Sequence, residues 1–259
     1  MESYRPPTFS MFPPVVKNLL IANGVFFLAT FILGNTYHID LNNLLGLHYF
    51  QSSDFKPYQL VTYMFMHGSL SHIFFNMFAL WMFGNTLENF WGPKKFLIFY
   101  FVCGIGAGLT QEFIQYFYFQ HIEHVIEVFG NLPNQSDFSA IAAKYFGVQV
   151  NGAEAHPGEY LEYLQKAFQE SMNHSVTIGA SGAVFGILLA FGMLFPNTLL
   201  YVYFAIPVKA KYFVIVYGLM ELFFAVSNRP GDDVAHYAHL GGMVFGFFLI
   251  MYWRSKRNV

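Results

Sequence analysis

Ser181, His239, His72 and Asn76 are the residues whose types, taken together, suit acyl transfer. A serine hydroxyl is a weak nucleophile until a neighbouring base removes its proton, and an imidazole does this near neutral pH. The oxyanion that follows needs hydrogen-bond donors already in place, which a histidine and an asparagine supply. Ser181 stands in Gly179-Ala180-Ser181-Gly182, and Gly182 with Gly186 forms a GxxxG pair. His239 is followed by Gly242 and Gly246 at the same interval. Such glycine faces let helix backbones approach closely, so packing them together would set Ser181 beside His239. His72, Asn76, Leu80, Gly84 and Glu88 recur every four residues and form one stripe of a helix. His72 and Asn76 occupy its outer half, level with Ser181. Glu88, at the far end, reads as a structural hydrogen-bonding group. A lone serine or histidine in an apolar helix more often packs than reacts, but facing glycines and matched depth favour chemistry here. His236 lies one turn before His239, yet only His239 has glycine at the third and seventh positions after it. Asp232 and Asp233 suit helix capping.

These residues must be positioned by membrane helices. The 259 residues are 55% hydrophobic and 11% charged, against about 25% charged in soluble domains. Six stretches, 15–34, 70–90, 96–119, 176–195, 212–227 and 234–253, have the composition of spans, which take roughly 20 helical residues each. The start of the fifth is ambiguous, because 199–206 is also apolar. Counting from helix starts at 176 and 234, Ser181 and His239 lie about 7 and 8 Å deep at ~1.5 Å per residue. The predicted fold class is all-α, a polytopic six-helix membrane bundle with an extracytoplasmic insert between helices 3 and 4. Residues 1–14 form a cytoplasmic segment, 15–253 the membrane domain with its insert at about 120–174, and 254–259 a basic tail. No signal peptide is expected, because 1–14 lacks an apolar core before a cleavage site.

Basic residues give the orientation. Arg5, Lys17, Lys94, Lys95, Lys209, Lys211, Arg254, Lys256 and Arg257 flank one side, while Lys56 and Arg229 lie on the other. Both termini are therefore expected in the cytoplasm. The insert carries two amphipathic patterns, Phe138, Ile141, Ala142, Tyr145 and Phe146 on one face and Leu161, Leu164, Phe168 and Met172 on another. A net charge of −2 gives no basic field for nucleic acid, and the single Cys103 excludes an intramolecular disulfide framework.

The segment His67-Gly68-Ser69-Leu70-Ser71-His72-Ile73-Phe74-Phe75-Asn76, continuing to Gly84 and Glu88, resembles the second-helix signature of rhomboid proteases. Gly179-Ala180-Ser181-Gly182 is similar to their nucleophile motif, and His239-Leu240-Gly241-Gly242-Met243-Val244-Phe245-Gly246 to their HxxGxxxG sixth helix. The likeness covers roughly 55–253 apart from the insert. It implies an intramembrane serine endopeptidase with a serine–histidine dyad and no third acid. Ser181 would be nucleophile and His239 general base and then acid, with His72, Asn76 and the Ser181 N–H forming the oxyanion hole. It further implies a structural role for His67, stacking of Phe185 on the imidazole, and client admission beside the fifth helix. The partners implied are transmembrane protein substrates and the lipid bilayer, with no cofactor and no metal. Tyr58-Gln59 stands where many members have Trp-Arg, and the insert exceeds the minimal plan.

The alternative is a catalytically inactive rhomboid-like membrane protein-binding factor, though such relatives typically lose the serine or the histidine and this chain has both. A metal-dependent enzyme is disfavoured, because no HExxH is present and no carboxylate is expected at the depth of the histidines. The compact plan suggests a bacterial inner membrane.

Overall fold

Long apolar runs broken by glycine, proline and charged pairs leave the backbone few ways to satisfy itself except as helices. The computed structural model describes residues 9–148, 157–202, 205–227 and 235–257. In chain order it shows α1 (Pro14–Tyr37), α2 (Leu41–Leu45), β1 (Leu47–His48), α3 (Gln59–Thr62), α4 (Leu70–Ala79), α5 (Asn85–Trp91), α6 (Pro93–Asn131), α7 (Gln135–Phe146) and α8 (Pro157–His174). There follow β2 (Val176–Thr177), α9 (Ser181–Leu194), β3 (Leu199–Val202), β4 (Ile206–Lys209), α10 (Ala210–Ser227) and α11 (His236–Arg257). A π-helical turn, Leu80–Gly84, joins α4 to α5.

Two compact units result. The first comprises the described residues of Met1–Gly46, Tyr58–Gln111 and Thr177–Val259. Its central element is α9, which packs most extensively on α11 and also on α10, α4 and α5. Nearly all of α9 from Gly182 to Gly192 is buried. By contrast α1 and α10 expose Ile21, Val25, Leu28 and Phe31, and Ile215, Leu219, Phe223 and Val226, a surface suited to lipid rather than water. Among the described residues α1, α6 and α10 are long and apolar enough to cross a membrane, and α9 is a shorter apolar helix.

α1 begins with Pro14 and has no side-chain cap of its own. Glu88 supplies one from α5: its two carboxylate oxygens accept from the N–H groups of Val15 at 2.9 Å and Val16 at 2.7 Å. These are donors a helix start leaves orphaned, and a carboxylate there also complements the helix dipole. Tyr58 Oη and Gln59 Nε2 both donate to the Leu44 carbonyl, at 3.4 and 3.3 Å, and so anchor the connection before α4.

The second unit comprises Leu47–Pro57 and Glu112–Val176, less the residues outside the description. Phe138, Ala142, Leu164, Phe168 and Met172 are buried there with Tyr49, Phe119, Ile122, Ile126 and Phe129, and Ile141, Tyr145, Phe146 and Leu161 pack against them. Both amphipathic patterns thus form helices, α7 and α8. α7 starts on Asn134, whose side chain accepts from the Asp137 N–H at 2.9 Å, and stops at Gly147 in the left-handed region.

Several expected boundaries are corrected. The third helix continues past residue 119 to Asn131, because Ile122, Ile126 and Phe129 keep helical spacing and are buried. The fourth begins at Ser181 and not at 176: Val176–Thr177 is extended, and Gly179 has φ 126°, a conformation that ends the strand and suits only glycine. The ambiguous stretch before the fifth helix is an antiparallel hairpin, with Leu199 opposite Lys209 and Val202 opposite Ile206. The sixth helix begins at His236; its expected start at 234, with Arg5, Arg229, Asp232 and Asp233, lies outside the described residues.

Candidate active site

Ser181 is the first residue of α9 and His239 lies in the first turn of α11. What brings them together is backbone contact. A Cβ added to Gly242 would collide with the Gly182 carbonyl, and one on Gly186 would meet Cys103 and lie 2.9 Å from the Gly242 carbonyl oxygen. His239 Nε2 then sits 2.8 Å from Ser181 Oγ. The Phe185 ring, one turn after Ser181, stacks on the imidazole with centroids 4.2 Å apart and planes 11° apart. His239 is buried, with 7% of its surface exposed, so its ring has little freedom to leave this geometry.

α4 contributes the donors. A Cβ on Gly179 would lie 2.8 Å from His72 Nε2 and 3.5 Å from Ser181 Oγ, so the imidazole and the hydroxyl face the same glycine. Asn76 is buried and gives one amide hydrogen to the His72 carbonyl at 3.0 Å. A carboxamide nitrogen has two hydrogens, so the second remains for a ligand. The Ser181 N–H belongs to the first turn of α9, whose donors have no acceptor within the helix. His67, in the turn before α4, meets His72 edge-on at 4.9 Å. Burial, reinforced by the neighbouring His72, pushes the His67 pKa down to about 4, so it stays neutral at physiological pH.

One residue of this cluster escaped the sequence reading. Glu221, on α10, places Oε2 2.8 Å from His239 Nδ1 and 2.6 Å from His236 Nδ1. The expectation that no carboxylate lies level with the histidines is therefore overturned, as is the absence of an acid beside the base. Glu221, His236 and His239 present their donor atoms within 4.8 Å of one another. The signal was available: Glu221 is the one acidic residue of α10 and lies within its apolar stretch, and an ionisable group inside a span calls for a named partner.

The fold and the site together define a helical membrane protein carrying a serine and a histidine in hydrogen-bond contact. A sequence model of the Rhomboid domain matches residues 54–119 and 144–256, and the chain belongs to the rhomboid family. It is 27% identical over 231 residues to RHOMBOID-like protein 12, mitochondrial, of Arabidopsis thaliana, covering 88% of this chain and 55% of that protein. A mitochondrial rhomboid protein of Schizosaccharomyces pombe, named as uncharacterized, is 27% identical over 223 residues, covering 80% of this chain and 55% of its own. Rhomboid-like protease 3 of Toxoplasma gondii is 27% identical over 100 residues, 38% of each chain. The chain spans about half the length of the first two relatives.

Proposed function

We propose that the chain is an intramembrane serine endopeptidase that cuts transmembrane segments of other membrane proteins. The observation that carries this reading is the 2.8 Å contact between His239 Nε2 and Ser181 Oγ. In the proposed reaction Nε2 takes the hydroxyl proton as Oγ bonds to the scissile carbonyl carbon. His72, the free hydrogen of the Asn76 amide and the Ser181 N–H surround the resulting oxyanion. Collapse breaks the C–N bond while His239 returns its proton to the leaving nitrogen, and water repeats the sequence on the acyl-serine. A client helix must locally unwind first, because its carbonyls are engaged in helical hydrogen bonds.

Six spans complete the proposal: α1, the run from α4 to α5, α6, α9, α10 and α11, with α7 and α8 on the non-cytoplasmic side. Sidedness draws on the basic ends. Lys95 Nζ, at the start of α6, lies 4.5 Å from the Trp253 ring near the end of α11, and Arg254 donates to the Met193 carbonyl at the end of α9 at 3.4 Å. Cationic residues thus gather at the end of these helices opposite Ser181 and His239. We assign that end, and both termini, to the cytoplasmic side of a bacterial inner membrane. It becomes the matrix side if the mitochondrial names of two relatives extend to this chain.

The test is labelling of the purified protein with a fluorophosphonate or isocoumarin probe, with cleavage of a single-pass test substrate in liposomes. Label and cleavage should both vanish in Ser181→Ala, which should still insert and fold. Cleavage by that variant at the parent rate sinks the reading.

A further inference from the structure

We infer that Glu221 is a third member of this centre: a positioning residue that fixes the tautomer and ring orientation of His239, and is itself held by His236. The inference rests on the Ser181–His239 reading above and deepens it.

Glu221 is 8% exposed, and its Oε2 receives both Nδ1 atoms, at 2.8 Å from His239 and 2.6 Å from His236. An ionised carboxylate only accepts hydrogen bonds. Both Nδ1 atoms must therefore carry hydrogen, and in neutral His239 the remaining nitrogen, Nε2, is left bare. That bare nitrogen is the one 2.8 Å from Ser181 Oγ. Without an acceptor at Nδ1, the imidazole is free to carry its hydrogen on Nε2, a form that cannot take the serine proton. Phe185 against the ring face fixes the plane, and the carboxylate fixes the remaining rotation within it. When the proton moves from Oγ to Nε2, the positive charge forms beside a carboxylate already in place, and the Nδ1 hydrogen stays where it was.

His236 has its own part. A buried carboxylate with a single donor would be poorly compensated, and the second N–H on the same oxygen supplies the missing partner. Phe224, on α10, lies 5.5 Å from the His236 ring, so this support is packed as well as hydrogen-bonded. The same three side chains have the types of a metal site; in the arrangement inferred here the carboxylate oxygen accepts from two N–H groups instead. Ring orientation accounts for the cluster without an ion.

The experiment compares the parent chain with Glu221→Gln and Glu221→Asp in liposomes, measuring kcat and KM on the same single-pass substrate, with Ser181→Ala as reference. Glutamine keeps the shape but offers an N–H to Nδ1, which favours the wrong tautomer. A fall in kcat of about 100- to 10,000-fold is expected with KM within about twofold, the upper end matching neutral-amide replacement of the acid in the serine protease triad. Aspartate keeps the charge one methylene short and should recover at least about tenfold over Glu221→Gln, a rescue that a merely structural role would not give. If Glu221→Gln fails to fold, Glu221→Asp carries the comparison alone, with kcat reduced and KM unchanged. Parental kcat in Glu221→Gln overturns the inference, or in Glu221→Asp where that variant alone folds, as does stoichiometric zinc in the purified parent with cleavage lost on chelation. If Ser181→Ala cleaves like the parent, the underlying function fails instead.

Discussion

The seam between α9 and α11 is built from glycine, whereas the core of the second unit is built from rings and branched chains. At the seam Gly182, Gly186 and Gly242 bring main chain onto main chain with no side-chain layer between them. In the second unit Phe138 stacks on Tyr160 at 4.4 Å, Phe119 meets Phe168 at 6.0 Å, and Leu164 is wholly enclosed. The two arrangements answer different physical demands. In lipid, apolar side chains gain nothing by leaving the solvent, so helices associate through close van der Waals contact between small residues. The second unit instead fills the space between its helices with interdigitating rings and branched chains. A glycine seam also couples backbone position to the site, because no side-chain layer lies between Gly182 and Gly242 to absorb a displacement. A core of side chains relaxes around a loss.

The comparison breaks most completely at the chemistry itself. Ser181→Ala and His239→Ala should each abolish cleavage, by about 10⁶-fold if they behave as a unit. Next comes the seam. Gly242→Leu puts a side chain where the Gly182 carbonyl stands, and cleavage should fall by at least about 100-fold, the scale for an ångström of misplacement. Full activity in that variant would show that the seam does not set the site. Asn76→Ala should reduce kcat by about 10- to 1000-fold with little change in KM, near the scale for loss of one oxyanion donor.

In the second unit the expected loss is of another kind. Leu164→Ala should destabilise that unit by about 2–5 kcal/mol, read by hydrogen exchange over α7 and α8, while probe labelling of Ser181 is unchanged. Lost labelling would show that the effect of the cavity is not confined to that unit. The mildest effect concerns His67. The unfolded chain takes up a proton near pH 6.5 that native His67 refuses until about pH 4. Stability therefore falls as pH drops through that window, and His67→Gln should flatten the slope of the thermal midpoint between those values.

The reading of single residues differed sharply between motifs and exceptions. Glu88 was legible as structural because it lies on the four-residue stripe at the far end from His72, and it caps α1. The faces of α7 and α8 were legible because their apolar positions repeat at helical spacing. Glu221 was missed for the opposite reason: no repeat contains it, and it stands alone between Met220 and Leu222. The early start assigned to the fourth helix failed because hydropathy cannot separate an extended apolar segment from a helical one, and only the φ of Gly179 marks the change.

The sequence by itself determined the solvent, the helices and the residues able to react, since composition, period and glycine spacing are local properties of the chain. Tertiary structure decided which nitrogen of which histidine faces Ser181, and that a carboxylate from α10 stands behind it. Those facts depend on contacts between residues 18 and 58 positions apart, where distance in the chain carries no information about distance in space.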